Sequence, residues 1–143
     1  MAMDQMSNLE RFVEAQAGVY EAVVRELRAG YKATHWMWFV FPQIAGLGSS
    51  EMNRLYAIAS LAEAQAYLAH PVLGPRLRDC AGIVAATRDT TASAIFGETD
   101  ARKLHSSMTL FHLASPEEPV FRDVLDRFFE GRLDSGTTDR LPQ

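Results

Sequence analysis

Three polar residues, Asp100, Lys103 and Ser107, fall on or beside the apolar side of a predicted helix when its residues are placed about 100° apart. The apolar side is defined by residues at three- and four-residue spacings: Leu104, Met108 and Phe111. Acid, amine and hydroxyl groups are costly to bury unless paired, so these three must satisfy each other, reach a ligand or lie at the mouth of a cavity. An acid paired with an amine suits hydrolysis of an N-glycosidic or a phosphoester bond, with the serine orienting the ionisable group. The structural alternative is that Asp100 starts the helix and Lys103 extends its ammonium to solvent from an exposed first turn.

A second group of polar atoms lies within an aromatic segment, residues 34–44. Two indoles, an imidazole and a side-chain amide occur there close together, and each needs a hydrogen-bond partner. Together they can line a pocket for a flat ring with polar edges, while the alternative is that they belong to the core. The residues concerned are His35, Trp36, Trp38 and Gln43. The candidate catalytic residues are therefore Asp100, Lys103, Ser107 and His35, and the two tryptophans and the glutamine are candidates for ligand binding.

Gly46, Gly48 and Ser50 come directly before a predicted helix. Glycines at such a place can present free backbone N–H groups to an anion, so these three residues are also candidates for ligand binding. The pattern is not a dinucleotide fingerprint, because Glu51 stands where the third glycine would be, and no lysine follows as in a P-loop. The alternative is a turn followed by Ser50 as a helix N-cap.

The composition is typical of one soluble globular domain, with 48% hydrophobic and 22% charged residues among 143. The net charge of -4 is mildly unfavourable for contact with a phosphate backbone, so we expect no nucleic-acid polymer as partner. No stretch approaches the roughly 20 apolar residues of a membrane helix, and the first residues carry no secretory signal. These features predict a cytoplasmic protein without a membrane partner.

The sequence predicts neither a metal site nor a cofactor. His105 and His112 are separated by about 10.5 Å along their helix, too far to share a zinc ion. Cys80 is the single cysteine, and its apolar neighbours indicate a small buried side chain rather than a reactive thiol.

The periodicity predicts an all-α fold of about six to eight helices around one core, in a single domain 1–143 with a core at 9–133 and a polar tail at 134–143. Ser7 with Glu10 is the predicted start of the first helical stretch, and Gly18 and Gly30 interrupt and end it. The other predicted helix starts are Ser50, Ser60 with Glu63, Pro71, Thr91, Thr99 and Ser115 with Glu118. Residues 34–44 can form either a buried strand or a short helix capped by Thr34 and ended before Pro42, and the lack of a second convincing strand favours the helix.

The sequence also resembles the family of domain of unknown function 1810 from about Leu9 to Leu141. The segments that carry the resemblance are His35–Gln43, Gly46-Leu47-Gly48-x-Ser50, Glu63–Leu77, Ile95-Phe96-Gly97, Asp100-x-x-Lys103-Leu104 and Ser106–Phe111. The resemblance implies a small, mainly helical protein without an assigned activity. Ser106 and Thr109, in the last segment, join the ligand-binding candidates. Some family members carry the label calpastatin, which does not suit this chain because that inhibitor is disordered and this composition is globular.

A weaker resemblance links the chain to the NADAR superfamily, which is associated with NAD and ADP-ribose metabolism. The shared feature is the order of an aromatic and histidine segment, a helical stretch and a helix containing a lysine.

We consider two hypotheses for the function of this protein. The first is a protein that binds or hydrolyses a nucleotide-like or ADP-ribose-like small molecule, with Trp36 or Trp38 stacked on a base and Gly46 to Ser50 on a phosphate. The second is a non-catalytic protein–protein interaction module, and a protein partner or a homodimer remains open.

Overall fold

The computed structural model describes residues 2–141, with side chains described from residue 9 onward. Within these residues the fold is all-α, as predicted, with ten helices and one compact core. The helices are α1 (Ala2–Gln16), α2 (Tyr20–Ala29), α3 (Met37–Val40), α4 (Glu51–Leu55), α5 (Leu61–Ala69), α6 (Leu73–Ala86), α7 (Ala92–Phe96), α8 (Glu98–Ala114), α9 (Pro119–Phe129) and α10 (Ser135–Thr138). The number exceeds the predicted six to eight because the first helical stretch is divided at Gly18 into α1 and α2, and because the predicted polar tail contains the short helix α10.

Several helix ends follow the predicted signals. Gly18 and Gly30 have φ values of 81° and 74°, the left-handed conformation that favours glycine, and they separate α1 from α2 and end α2. The hydroxyl oxygens of Ser50, Ser60 and Thr91 each accept a backbone N–H three residues later, at the starts of α4, α5 and α7.

Other predicted helix starts are wrong. α8 begins at Glu98, so Thr99 lies inside the helix and does not cap it. α1 begins at Ala2, so Ser7 also lies inside a helix, and α9 begins at Pro119, later than the predicted start at Ser115. Pro71 lies in the turn before α6, which begins at Leu73. There the imidazole Nδ1 of His70 accepts the backbone N–H groups of Val72 at 3.1 Å and Leu73 at 3.3 Å, the role that a cap residue ordinarily fills.

Residues 34–44 contain one helical turn, α3, followed by an extended stretch. Trp36 and not Thr34 precedes this turn, which corrects the predicted cap. After it, Ile44 pairs with Ile58 in an isolated parallel bridge, in which the Ile58 N–H donates to the Gln43 carbonyl at 2.8 Å. A single bridge of this kind does not make a sheet. The predicted helix is therefore present as the turn α3, and the rest of the segment is extended without forming a strand of a sheet.

α8 forms the centre of the fold, since it packs against α5, α7, α9 and α10. Most of its side chains from Leu104 to Phe111 are buried. Residues 134–141 pack on it through α10 and bury Thr137 and Leu141. None of the helices in the described part of the chain is long and apolar enough to cross a membrane.

Candidate functional site

Two amines and one acid meet at the start of α8. The Lys32 ammonium lies 2.8 Å from Asp100 Oδ2, and the Lys103 ammonium lies 3.6 Å from Asp100 Oδ1. The side chains of Lys32, Lys103 and Asp100 are only 6%, 16% and 20% exposed. Asp100 and Lys103 were expected from the helical wheel, whereas Lys32 follows the end of α2 in a stretch without periodicity and was missed. We call these three residues the Lys–Asp–Lys cluster.

Each ammonium of this cluster also lies over an indole ring. Lys32 Nζ is 5.1 Å from the centroid of the Trp36 ring, and Lys103 Nζ is 4.6 Å from that of Trp38. Both distances are in the range of cation–π attraction. Asp100 is within hydrogen-bond distance of Lys32 but not of Lys103, so Lys103 is the less committed of the two cations.

Glu26, in α2, fixes the chain that carries Lys32 and Trp36. Its carboxylate accepts the backbone N–H groups of Ala33 and Thr34, the Thr34 hydroxyl and the Trp36 indole N–H, at 2.6 to 3.0 Å. Burial raises the pKa of Glu26, but the hydrogen bonds from Thr34, Trp36 and Ala33 outweigh it and lower the pKa to about 2. Sequence reasoning missed this residue because its place on α2 resembles any exposed helix position.

A narrow groove runs beside Trp38, and its volume of about 10 Å³ holds roughly one water molecule. The residues that line it are Trp38, Gln43, Ile44, Gly46, Leu47, Gly48, Met52, Asn53, Tyr56 and Ala57. A Cβ on Gly48 would overlap the side-chain amide of Asn53, so Gly48 serves close packing of that side chain. Ser50 is not among the residues that line the groove, and it caps the short α4 by accepting the backbone N–H of Asn53. The predicted candidates Trp38, Gln43, Gly46 and Gly48 therefore share one groove.

Ser106 and Thr109 serve contacts within the protein. The Gln43 side-chain amide donates to Ser106 Oγ at 2.6 Å, and Ser106 in turn donates to the Lys103 carbonyl at 3.1 Å. Thr109 Oγ1 donates to the His105 carbonyl and accepts the N–H of Asp134. Ser106 thus connects the groove to the turn of α8 that carries Lys103, while Thr109 holds the C-terminal residues.

The remaining three candidates, Trp36, Ser107 and His35, do not line this groove. Trp36 is 2% exposed, and its indole N–H is taken by Glu26. Ser107 is fully buried, and its hydroxyl has no hydrogen-bond partner within the described residues. The His35 side chain is exposed, and no hydrogen bond joins it to the part of the chain described here. The structure therefore brings Asp100, Lys103, Trp38, Gln43 and Ser106 together, but not His35 or Ser107.

Metal binding and thiol chemistry find little support in the geometry. No three His, Cys, Asp or Glu side chains in the described residues are grouped so that they could hold a metal ion. Cys80 is buried, and this burial raises the pKa of its thiol to about 12, so it carries almost no thiolate at neutral pH.

Comparison with known proteins places this geometry within a family. The chain is 51% identical to the conserved hypothetical protein Rv1873 from Mycobacterium tuberculosis. It superimposes on the crystal structure of that protein with a TM-score of 0.92, covering 94% of this chain and 96% of the other. No curated protein matches the chain. The sequence profile described as protein of unknown function (DUF1810) matches residues 6–141, so the predicted resemblance is confirmed and the chain belongs to the DUF1810 family.

Proposed function

We propose that this protein binds a nucleotide-like small molecule, one with a planar ring and an anionic group, at the surface formed by Trp38, Lys103 and the adjoining groove. The observation that carries the proposal is the position of Lys103, a half-buried cation held over an indole while the neighbouring acid is engaged by a second lysine. The proposed ligand is of the nucleotide-like or ADP-ribose-like class.

The charges of the Lys–Asp–Lys cluster favour an anionic ligand. Two ammonium groups face one carboxylate, and Lys32 makes the shorter contact with it. Placing a second amine in a half-buried site costs free energy that one shared carboxylate offsets only in part. A phosphate or carboxylate on the ligand would supply the missing negative charge at Lys103. The net charge of -4 does not oppose this, because the cluster is a local feature.

Trp38 and Gln43 suit the planar part of such a ligand. Trp38 is half-buried, and the Lys103 ammonium lies over one face of its ring, so we propose the opposite face as the stacking surface for a base or another flat ring. The Gln43 carboxamide nitrogen already donates to Ser106, whereas its amide oxygen has no donor among the described residues and can accept a hydrogen bond, and Gln43 is one of the residues that line the groove. Since the groove has room for about one water molecule, we place the ring across its mouth rather than inside it.

The arrangement supports binding more directly than hydrolysis. Both carboxylate oxygens of Asp100 face ammonium groups, Ser107 is fully buried and His35 is exposed. A general acid or base must reach the reacting atoms, and two of the four catalytic candidates are placed where they do not meet Lys103. Hydrolysis of an N-glycosidic or phosphoester bond stays a prediction, as does the interaction-module alternative.

Titration calorimetry and thermal shift with AMP and ADP-ribose test the proposal. A ligand at 100 times its dissociation constant adds about 2.7 kcal/mol to the free energy of unfolding, which gives a clear rise in Tm. Lys103→Met removes the proposed anion contact and should abolish the rise, whereas Arg102→Met, on an exposed neighbouring residue, should retain it. If neither compound binds the wild-type protein, or if Lys103→Met binds them as tightly as the wild-type protein does, the proposal is wrong. Either result would favour the hypothesis of a protein–protein interaction module.

A further inference from the structure

The C-terminal residues 134–141 lie against the same turn of α8 that supports the groove. The Asp134 N–H donates to Thr109 Oγ1 at 2.9 Å, and the Thr137 hydroxyl bonds to Asp134 Oδ2 at 2.7 Å and to the Ser106 carbonyl at 3.5 Å. Ser106 is also the acceptor for Gln43, which lines the groove. The last described residues of the chain are therefore fixed beside the proposed ligand site.

Arg140, at the end of this segment, lies against the wall of the groove. A Cβ built on Gly46 would come within 2.6 Å of Arg140 Nη1 and 3.1 Å of its Cζ, so the guanidinium occupies the space that any side chain at position 46 would need. Gly46 also has a φ of 97°, which favours glycine independently. The guanidinium thus rests on the backbone of a residue that lines the groove.

The charge of Arg140 is not neutralised within the described residues. No carboxylate of residues 9–141 lies within ion-pair distance of it, and no hydrogen bond joins its guanidinium to them. Arg78, by contrast, binds Glu118 through two hydrogen bonds of 2.7 and 2.8 Å. A guanidinium has five N–H donors in a planar fork, which matches a phosphate or carboxylate group.

We propose that Arg140 is a second anion-binding residue of this site and that the ligand is of the class that carries two phosphate groups, as a nucleoside diphosphate does. This inference rests on the proposed function, since Lys103 and Trp38 are taken to bind the first anionic group and the ring. Lys103 lies over Trp38 and Arg140 packs against Gly46, and both Trp38 and Gly46 line the groove. One phosphate meets the ammonium, and the next meets the guanidinium.

Calorimetric titration of AMP and ADP distinguishes the two parts of the site. We expect wild-type protein to bind ADP about tenfold more tightly than AMP, a difference of roughly 1.4 kcal/mol. Arg140→Ala should remove this advantage and leave AMP affinity unchanged, while Lys103→Met should abolish the binding of both compounds. Arg132→Ala, at another exposed arginine after α9, is the matched control and should bind both compounds as wild type does.

The outcomes separate this inference from the proposed function. If wild-type protein binds AMP and ADP, but Arg140→Ala keeps the preference for ADP or loses affinity for both compounds equally, the inference is wrong and the proposed function stands. If the wild-type protein binds neither compound, the proposed function fails and the inference fails with it. Circular dichroism of Arg140→Ala checks that the exposed substitution leaves the fold intact.

Discussion

Lys32 and Lys103 differ in how strongly each is committed to Asp100, and this difference predicts unequal losses of stability. Lys32→Met leaves Asp100 Oδ2 without its 2.8 Å partner. Breaking a fully buried ion pair costs about 3–5 kcal/mol, and since Asp100 is 20% exposed and keeps Lys103, we take about half of that, roughly 2 kcal/mol. Lys103→Met removes a longer ion pair worth about 0–1 kcal/mol, and methionine retains some contact with the Trp38 ring, so we expect a loss below about 1 kcal/mol.

Urea unfolding at neutral pH measures both losses. With a slope of about 2 kcal/mol per molar urea, Lys32→Met should lower the midpoint by roughly 1 M and Lys103→Met by less than half as much. The two variants remove the same charge, so each controls for the change in net charge of the other. Equal losses, or a larger loss for Lys103→Met, would show that Lys103 is not the less committed cation and would refute the reasoning.

Three further predictions concern single residues. The pKa of Glu26 in the fold is about 2, below its ordinary value of 4.5, so its hydrogen bonds stabilise the protein above pH 4.5 and this contribution is lost as the pH falls towards 2. Glu26→Gln should therefore flatten this part of a plot of the free energy of unfolding against pH, and an unchanged plot would contradict the low pKa. Trp36→Ala should lower the free energy of unfolding, measured with urea, by about 3–5 kcal/mol because Trp36 is a core residue. Trp38 is half-buried, so Trp38→Ala should lower it clearly less and should abolish AMP binding. A larger loss of stability for Trp38→Ala, with AMP binding lost only in Trp36→Ala, would place the pocket at Trp36. Ser107→Ala should leave the free energy of unfolding unchanged or raise it by up to about 1 kcal/mol, because the hydroxyl has no partner in the described residues, and it should leave AMP binding intact. A loss of AMP binding would instead support the prediction that Ser107 is a site residue.

The fold class and many of the helix ends could be predicted from the sequence because they depend on local patterns. Ser50 and Ser60 act as caps through bonds to residues three positions later, which the sequence displays directly. The wheel also placed Asp100 and Lys103 near the apolar side of α8, where their side chains are half-buried. Thr99 resembles a cap, but α8 begins one residue earlier at Glu98, directly after Gly97, whose positive φ of 81° favours glycine.

The parts of the site that the sequence did not show depend on contacts between distant residues. Lys32 joins Asp100 only because the loop after α2 lies beside the start of α8, and Glu26 is identified only by the four groups that converge on it. The aromatic segment was ambiguous for a related reason, since a fully apolar run has no polar face to define a period. Arg140 lies in a stretch that composition describes as a polar tail, yet its guanidinium packs on Gly46, far away in the chain.

The two tryptophans allow a direct test of the claim that Trp38 and Lys103 form the ligand surface. A ¹H–¹⁵N correlation spectrum shows one indole N–H signal for each tryptophan, and Trp36→Phe identifies which signal is which. Titration with AMP should move the Trp38 signal and leave that of Trp36, which is bonded to Glu26, nearly unchanged. The same titration of Lys103→Met should move neither. A Trp38 signal that does not move in the wild-type protein, or that moves equally in Lys103→Met, would contradict the account.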